Sequence, residues 1–299
     1  MLTFRTISIS DRLWITKALH QSNFQGCEYC FSNNLAWYRA SNSKIARFQD
    51  FYIIAAFDTA DGIPDVTVPS GSGDWAALFQ ELRETLCPNG QPLRFTGVTR
   101  ETAAFLQKWF PSAIWEPDPA AFDYIYRTED FIALKGKRYH KKRNHLHQFR
   151  SRYDWTFSPI TAADMDACIA FSASLYNEKA GYDNRSSVVE QFAIHTFFTH
   201  FETLGLCGGV LRVDGKLVGF SIGEPLNQDT FVTHIEKADT SYSGAYPALA
   251  QAFTEQFASA YPYLNREEDL GIAGLRQAKA SYYPVYLLEK GDMLITWDK

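Results

Sequence analysis

Asn265, Arg266, Glu267, Glu268 and Asp269 put three carboxylates, an amide and a guanidinium into one short stretch. A carboxylate in such a cluster can orient or deprotonate an acceptor amine, or hold an ammonium group. Side chains alternate along an extended segment, so Arg266 and Glu268 share one side while Glu267 and Asp269 share the other. The same acids ahead of a helix would instead favour its positive N-terminus, and residue type alone leaves both readings open. Downstream stand Lys279, Tyr282 and Tyr283. A lysine can neutralise the oxyanion of a leaving group and a tyrosine can return its proton. The plainer reading is a surface lysine beside core aromatics. Upstream, Glu236 and Lys237 leave a strand candidate in which His234 alternates with them; a lone strand histidine more often has a structural role than a basic one.

A second chemistry-bearing stretch is Lys135 to Tyr153, KGKRYHKKRNHLHQFRSRY, with no acidic residue between Asp130 and Asp154. At helical period Tyr139, Leu146, Phe149 and Tyr153 form an apolar stripe. The rest of the segment is left to solvent or to a phosphate-bearing partner, with Lys137, Arg138, Lys141, Lys142 and Arg143 foremost. The whole chain carries a formal charge of -5, so this basic patch stands on an acidic protein.

The elements that must position these groups follow in order. Leu2 to Ile7 reads as a strand, Ser10 and Asp11 as the cap of a helix, Phe31 to Arg39 as a short helix and Ile45 to Phe57 as a strand or hairpin. Asp74 caps an amphipathic helix to Leu86; Leu93 to Val98 is a strand, Glu101 to Trp109 a helix and Phe122 to Tyr126 a strand. The order then repeats. Trp155 to Ile160 is a strand, and helices run to about Asn177 and from Ser186 to Leu204. A hairpin turns at Asp214-Gly215, and the strand Thr230 to Ile235 follows. A helix begins near Gly244 and Pro247, and the strand Tyr263 to Asn265, the helix Ile272 to Tyr283 and a closing strand Val285 to Glu289 complete the chain. The doubling divides the chain into domains 1–134 and 154–299, joined by a basic connecting helix 135–153.

At 299 residues, with 46% hydrophobic and 15% aromatic content, the chain suits two packed domains. Its apolar runs are too short to span a bilayer, and Met1 to Ser10 lacks the apolar core of a secretory signal. Five scattered cysteines point to reduced thiols and a cytoplasmic protein. Cys27 and Cys30 form a lone CxxC without the further ligands of a zinc site, so no metal is expected. Glycine-rich kinase loops, G-x-S-x-G elbows and HExxH helices are absent.

Four segments, Phe122 to Thr128 (FDYIYRT), Lys135 to Asn144 (KGKRYHKKRN), Asn265 to Gly271 (NREEDLG) and Gly274 to Pro284 (GLRQAKASYYP), resemble the signatures of one family. It is the family of the C-terminal cytosolic domain of phosphatidylglycerol lysyltransferase, which includes stand-alone members. The resemblance covers nearly the whole chain, FSNNLAWYR at Phe31 to Arg39 included. It implies an α/β (α+β) fold of two tandem GNAT-like domains, each a mixed, mostly antiparallel sheet flanked by helices. The fold is similar to that of Fem-type transferases. It further implies an aminoacyl transferase that draws on charged tRNA, needs no cofactor, and contacts anionic lipid at most transiently. Under it Glu267, Asp269, Arg266, Lys279, Tyr282 and Glu236 are the candidate catalytic residues, with Asn265, Glu268, Tyr283 and Gly244 binding substrate. The first domain is expected to be a scaffold-like copy. The alternatives are a CoA-dependent N-acyltransferase acting on a small amine and a non-catalytic module that binds tRNA or anionic lipid. A CoA donor needs backbone N–H groups at a helix start for its pyrophosphate. Ser241 to Pro247 offers one glycine, and its proline removes a donor.

Overall fold

The computed structural model describes residues 1–177 and 184–297. The chain divides into two units, the first comprising Met1–Asp123, Glu268–Arg276 and Leu287–Lys299, the second Tyr124–Glu267 and Gln277–Tyr286.

In the first unit, β1 (Lys44–Phe48) and β2 (Phe51–Ala56) make an antiparallel hairpin of β-branched and aromatic residues. β3 (Asp65–Thr67) pairs with β2 and runs parallel to β4 (Leu93–Thr99). The last strand of the chain, Lys290–Ile295, lies antiparallel between β4 and β5 (Trp115–Pro117). Helices α1 (Arg12–Ser22), α2 (Phe31–Trp37), α3 (Trp75–Leu86) and α4 (Arg100–Leu106) flank this sheet. The start of α3 is set by Asp74, whose carboxylate accepts from the Ala77 N–H at 3.1 Å. Phe51, Ile53, Leu78, Leu82, Phe95 and Met293 fill the core, each such side chain contributing about 1.5–3 kcal/mol on burial.

In the second unit, β6 (Asp123–Arg127), β7 (Trp155–Pro159), β8 (Cys207–Val213), β9 (Lys216–Pro225), β10 (Thr230–Ala238), β11 (Tyr263–Asn265) and β12 (Tyr286–Leu288) form a sheet ordered β12-β6-β11-β10-β9-β8-β7. The last strand, Lys290–Ile295, is then β13. Asp214 and Gly215, at φ of 49° and 76°, make the tight hairpin turn between β8 and β9. Around the sheet stand α5 (Thr128–Ala133), α6 (His140–Arg152), α7 (Ala162–Asn177), α8 (Asn184–Thr199), α9 (Phe201–Leu204), α10 (Ala245–Phe253) and α11 (Ala273–Ala280). Each unit therefore has the mixed, mostly antiparallel sheet flanked by helices that the sequence leads one to expect.

Four features differ from the expectation. Leu2 to Ile7 forms no strand; Arg5 alone bridges to Ile45. β5 and β13 were not anticipated, because Glu116, Lys290 and Asp292 interrupt their apolar pattern. The units part at residue 123, not 134, since β6 pairs with β11. The basic segment is also no connector: Tyr139, Leu146 and Phe149 bury themselves in the core of the second unit with Ala248, Leu249 and Phe253 of α10.

Candidate active site

The catalytic candidates gather where two parallel strands part. β10 and β11 are paired only over Thr230–Val232 and Tyr263–Asn265. Beyond that, β10 runs on to Ala238 against β9, with a bulge between Thr233 and Ile235, while the chain leaving β11 turns away. Asn265, fully buried, makes that turn: its Oδ1 accepts the Glu267 N–H at 2.7 Å, and Glu267 sits at φ 57°. Strand ends that separate in this way leave a cleft whose backbone is not closed by a neighbour.

Two charge pairs cross the gap. Glu236 of β10 accepts from Arg266 at 2.7 Å, both side chains being mostly buried. At the bulge His234 meets Glu267 through Nδ1 at 2.8 Å and Glu224 through Nε2 at 3.0 Å, and its ring stacks on Phe197 with centroids 5.4 Å apart. Carboxylates accept and cannot donate, so an imidazolium satisfies both contacts together. The histidine side chain is wholly enclosed, which makes it a clamp on Glu267 and not a base for substrate.

Aromatic rings floor the Arg266 pair. Its guanidinium lies 5.2 Å from the centroid of Phe131 and 5.3 Å from that of Tyr282, and those two rings stack at 4.5 Å. Burial disfavours the guanidinium charge, but Glu236 outweighs it and the pKa of Arg266 is raised. Burial also raises the hydroxyls of Tyr126 and Tyr282, keeping both protonated. The Tyr126 hydroxyl donates to the Lys279 carbonyl at 2.8 Å, and that of Tyr139 to the Tyr282 carbonyl at 3.1 Å. Lys279 Nζ stands 5.9 Å from the Tyr124 ring, and half-exposed Tyr283 packs edge-on against Tyr139.

Gly244 opens α10 at φ 92°, and a Cβ there would stand 2.7 Å from the His145 carbonyl oxygen and 2.9 Å from Phe149 Cβ. The glycine serves the close approach of α6 to α10.

The remaining acidic candidates lie in the first unit. Asp269, fully buried, binds Arg276 through both oxygens at 2.8 and 3.0 Å and the Gly271 N–H at 2.8 Å, which is a structural use of the carboxylate. Glu268 accepts from the Cys27 thiol at 3.2 Å. Cys27 belongs to a buried cluster in which the Lys290 ammonium reaches Asp123 at 2.9 Å and Glu28 at 2.8 Å. Cys27, Asp123 and Glu268 have ligand atoms within 4.8 Å of one another. The positive charge among them is the protein's own, because Lys290 Nζ is also 3.7 Å from Cys27 Sγ. Burial disfavours that ammonium, yet Asp123, Cys27, Glu28 and Glu268 together raise its pKa well above the ordinary value.

The family model for the C-terminal part of phosphatidylglycerol lysyltransferase matches residues 20–290. The chain belongs to this family. A crystal structure of a conserved protein of unknown function from Bacteroides thetaiotaomicron is 35% identical, covering 99% of this chain and 100% of that one at a TM-score of 0.90. The C-terminal domain of a putative lysylphosphatidylglycerol synthetase from Agrobacterium fabrum shares the fold at 13% identity, with 96% and 92% of the chains covered and a TM-score of 0.61. A tandem GNAT protein from the clavulanic acid pathway shares it at 13% identity, 99% and 98% coverage and a TM-score of 0.53. An uncharacterized protein of Mycoplasmoides gallisepticum is 25% identical over 175 residues, which are 56% of this chain. The match spans 54% of that relative's length. The family and the tandem GNAT-like fold are those on which acyl transfer is a reading to be argued, and no described helix is long and apolar enough to cross a membrane.

Among the basic residues of the family signature, the structure separates roles that the sequence left together. Lys137 and Lys141 are exposed. Arg138 lies near Asp130 and over the rings of Tyr139 and Tyr283. Arg143 donates to the Leu134 carbonyl and, at 2.7 Å, to the Gly136 carbonyl, so it ties down the start of its own helix. Lys142 does not face solvent with its neighbours. It is half-buried, with Nζ 3.8 Å from the centroid of Tyr282. The signal lay in the spacing: positions 139, 142, 146, 149 and 153 repeat by three and four, and Lys142 occupies a slot in the apolar stripe. Glu28, Asp123 and Lys290 were missed, and Cys27 was read only as half of a CxxC, because no local pattern links the four.

Proposed function

We propose that the chain transfers an aminoacyl group from the ester of a charged tRNA to an amine or hydroxyl acceptor, such as a lipid headgroup or a small molecule, in the cytoplasm. The observation that carries this reading is the Glu236–Arg266 pair held at the parting of β10 and β11. Glu236 takes the proton of the attacking acceptor while Arg266, 2.7 Å away, holds the carboxylate in place. The acceptor nitrogen or oxygen adds to the ester carbonyl, the bond from that carbonyl to the ribose oxygen breaks, and the ribose oxygen takes the proton from Glu236 as it leaves, supported by buried Tyr282. His234, clamped by Glu224 and Glu267, fixes the turn that presents Arg266. Pro247 in the first turn of α10 lacks an N–H, which argues for a donor other than CoA. Exposed Lys137 and Lys141 meet the tRNA backbone, where each phosphate contact contributes salt-dependent affinity.

The test follows each amino acid by mass in a pool of aminoacyl-tRNAs, with a cell extract as the acceptor source. Selective loss of one amino acid, reappearing on an extract component, is the expected result. Glu236→Gln should slow it by about 10²–10⁴-fold, the range ascribed to a positioned general base. Consumption of acyl-CoA in place of every tRNA ester would overturn the donor, and binding of tRNA without any turnover would overturn the chemistry.

A further inference from the structure

The second unit holds two cations against one ring. Lys142 Nζ stands 3.8 Å from the Tyr282 centroid and Arg266 Cζ 5.3 Å from it. Arg266 has its carboxylate, Glu236, at 2.7 Å. Lys142 has no ion pair within 4 Å among the described residues, and its only close partner is the π face of Tyr282. The groups facing it are Arg266 after β11, Glu236 of β10 and Tyr282 after α11, with the buried hydroxyl of Tyr126 on β6 behind Arg266. Burial first and the nearby Arg266 charge second lower the pKa of Lys142, Glu236 offsets only part, and the net value is about 8. Lys142 and Arg266 against Glu236 leave one positive charge unanswered in a half-enclosed, aromatic-walled place. A surface lysine escapes such a position by turning its head to water; this one instead lies over a ring.

We propose that Lys142, Arg266 and the ring of Tyr282 form a binding subsite for a singly charged oxyanion of the substrate, a phosphodiester or a carboxylate. The charge count selects the ligand: one negative charge completes the cluster, whereas a dianionic phosphomonoester overfills it. Lysine supplies a point charge with three mobile donors, suited to an oxygen that shifts as the substrate moves. Naming this ligand as part of the acceptor rests on the transfer reading above; the binding itself does not.

Calorimetric titration of the full chain with glycerophosphoglycerol, with acetate and with inorganic phosphate tests the subsite without tRNA or turnover. The expected result is saturable, one-site binding of a monoanion that weakens as pH rises through about 8. Lys142→Met should weaken it at least tenfold, and Lys142→Arg should keep it while removing the pH dependence. Lys216→Met, an exposed hairpin lysine, should leave it unchanged. Tighter binding of the diester than of acetate assigns the subsite to a phosphate ester, and the reverse assigns it to a carboxylate. Equal binding to parent and Lys142→Met, or no binding of any probe to the parent, would overturn the proposal. A protein that binds the anion but consumes no tRNA ester would keep the subsite and lose the transfer reading.

Discussion

Two lysines, one in each unit, are drawn inward and meet opposite surroundings. Lys290 lies between Asp123 and Glu28, with Cys27 and Glu268 near, and its charge is held more firmly than in water. Lys142 lies over Tyr282 beside Arg266, and its charge is held less firmly. A paired buried charge belongs to the architecture, because it satisfies its neighbours and costs heavily to remove. An unanswered one is maintained against a free-energy cost, which is the mark of a group kept for a ligand.

The sharpest way to break this comparison is Lys290→Met. It strands Asp123 and Glu28 without their cation, and a loss of about 3–5 kcal/mol is expected from urea denaturation. A loss below about 1 kcal/mol would mean that the cluster takes up a proton or an ion readily and that Lys290 is no keystone. Arg266→Met should cost less, about 1.5–3 kcal/mol, because Lys142 is at hand to answer Glu236. The same substitution should move the titration of Lys142, followed by NMR of its ammonium, upward from about 8; an unmoved titration would make burial alone responsible. Lys142→Met should stabilise the protein, by about 1 kcal/mol at pH 7. Folded Lys142 loses its proton near 8, an unfolded lysine near about 10.4. Between those values the unfolded chain binds the additional proton, so parent stability rises with pH there. The advantage of Lys142→Met is therefore full below about pH 8 and fades towards about pH 10. A gain of equal size at both ends, read from urea midpoints, would assign it to packing and not to charge.

Much of this was legible in the sequence, and for physical reasons. The hairpin at Asp214-Gly215, the helix capped by Asp74 and the stripe Tyr139, Leu146, Phe149 each declare themselves within a few residues. Arg266, Glu236 and Tyr282 were named in advance and do come together. Asp269 was named beside them, but its carboxylate serves Arg276 and Gly271. Residue type cannot distinguish a carboxylate aimed at a cleft from one closing a turn. β13 escaped notice because its Lys290 and Asp292 look like surface residues, and only Asp123 and Glu28, far off in sequence, explain why Lys290 is buried. Lys142 was assigned to solvent on its charge, although its spacing placed it on the inner face.

The position of β13 bears on the order in which the protein can be made. It pairs with β4 on one side, Met293 facing Phe95, and with β5 on the other, Met293 facing Trp115. A ribosome that has released residues 1–123 has released β4 and β5 with a missing strand between them, and with unpaired edges open to other chains. Domains usually mature in the order of their synthesis. Here the first unit to emerge waits for the last strand to be translated, and the second unit has all its strands but β12 before α11 is begun.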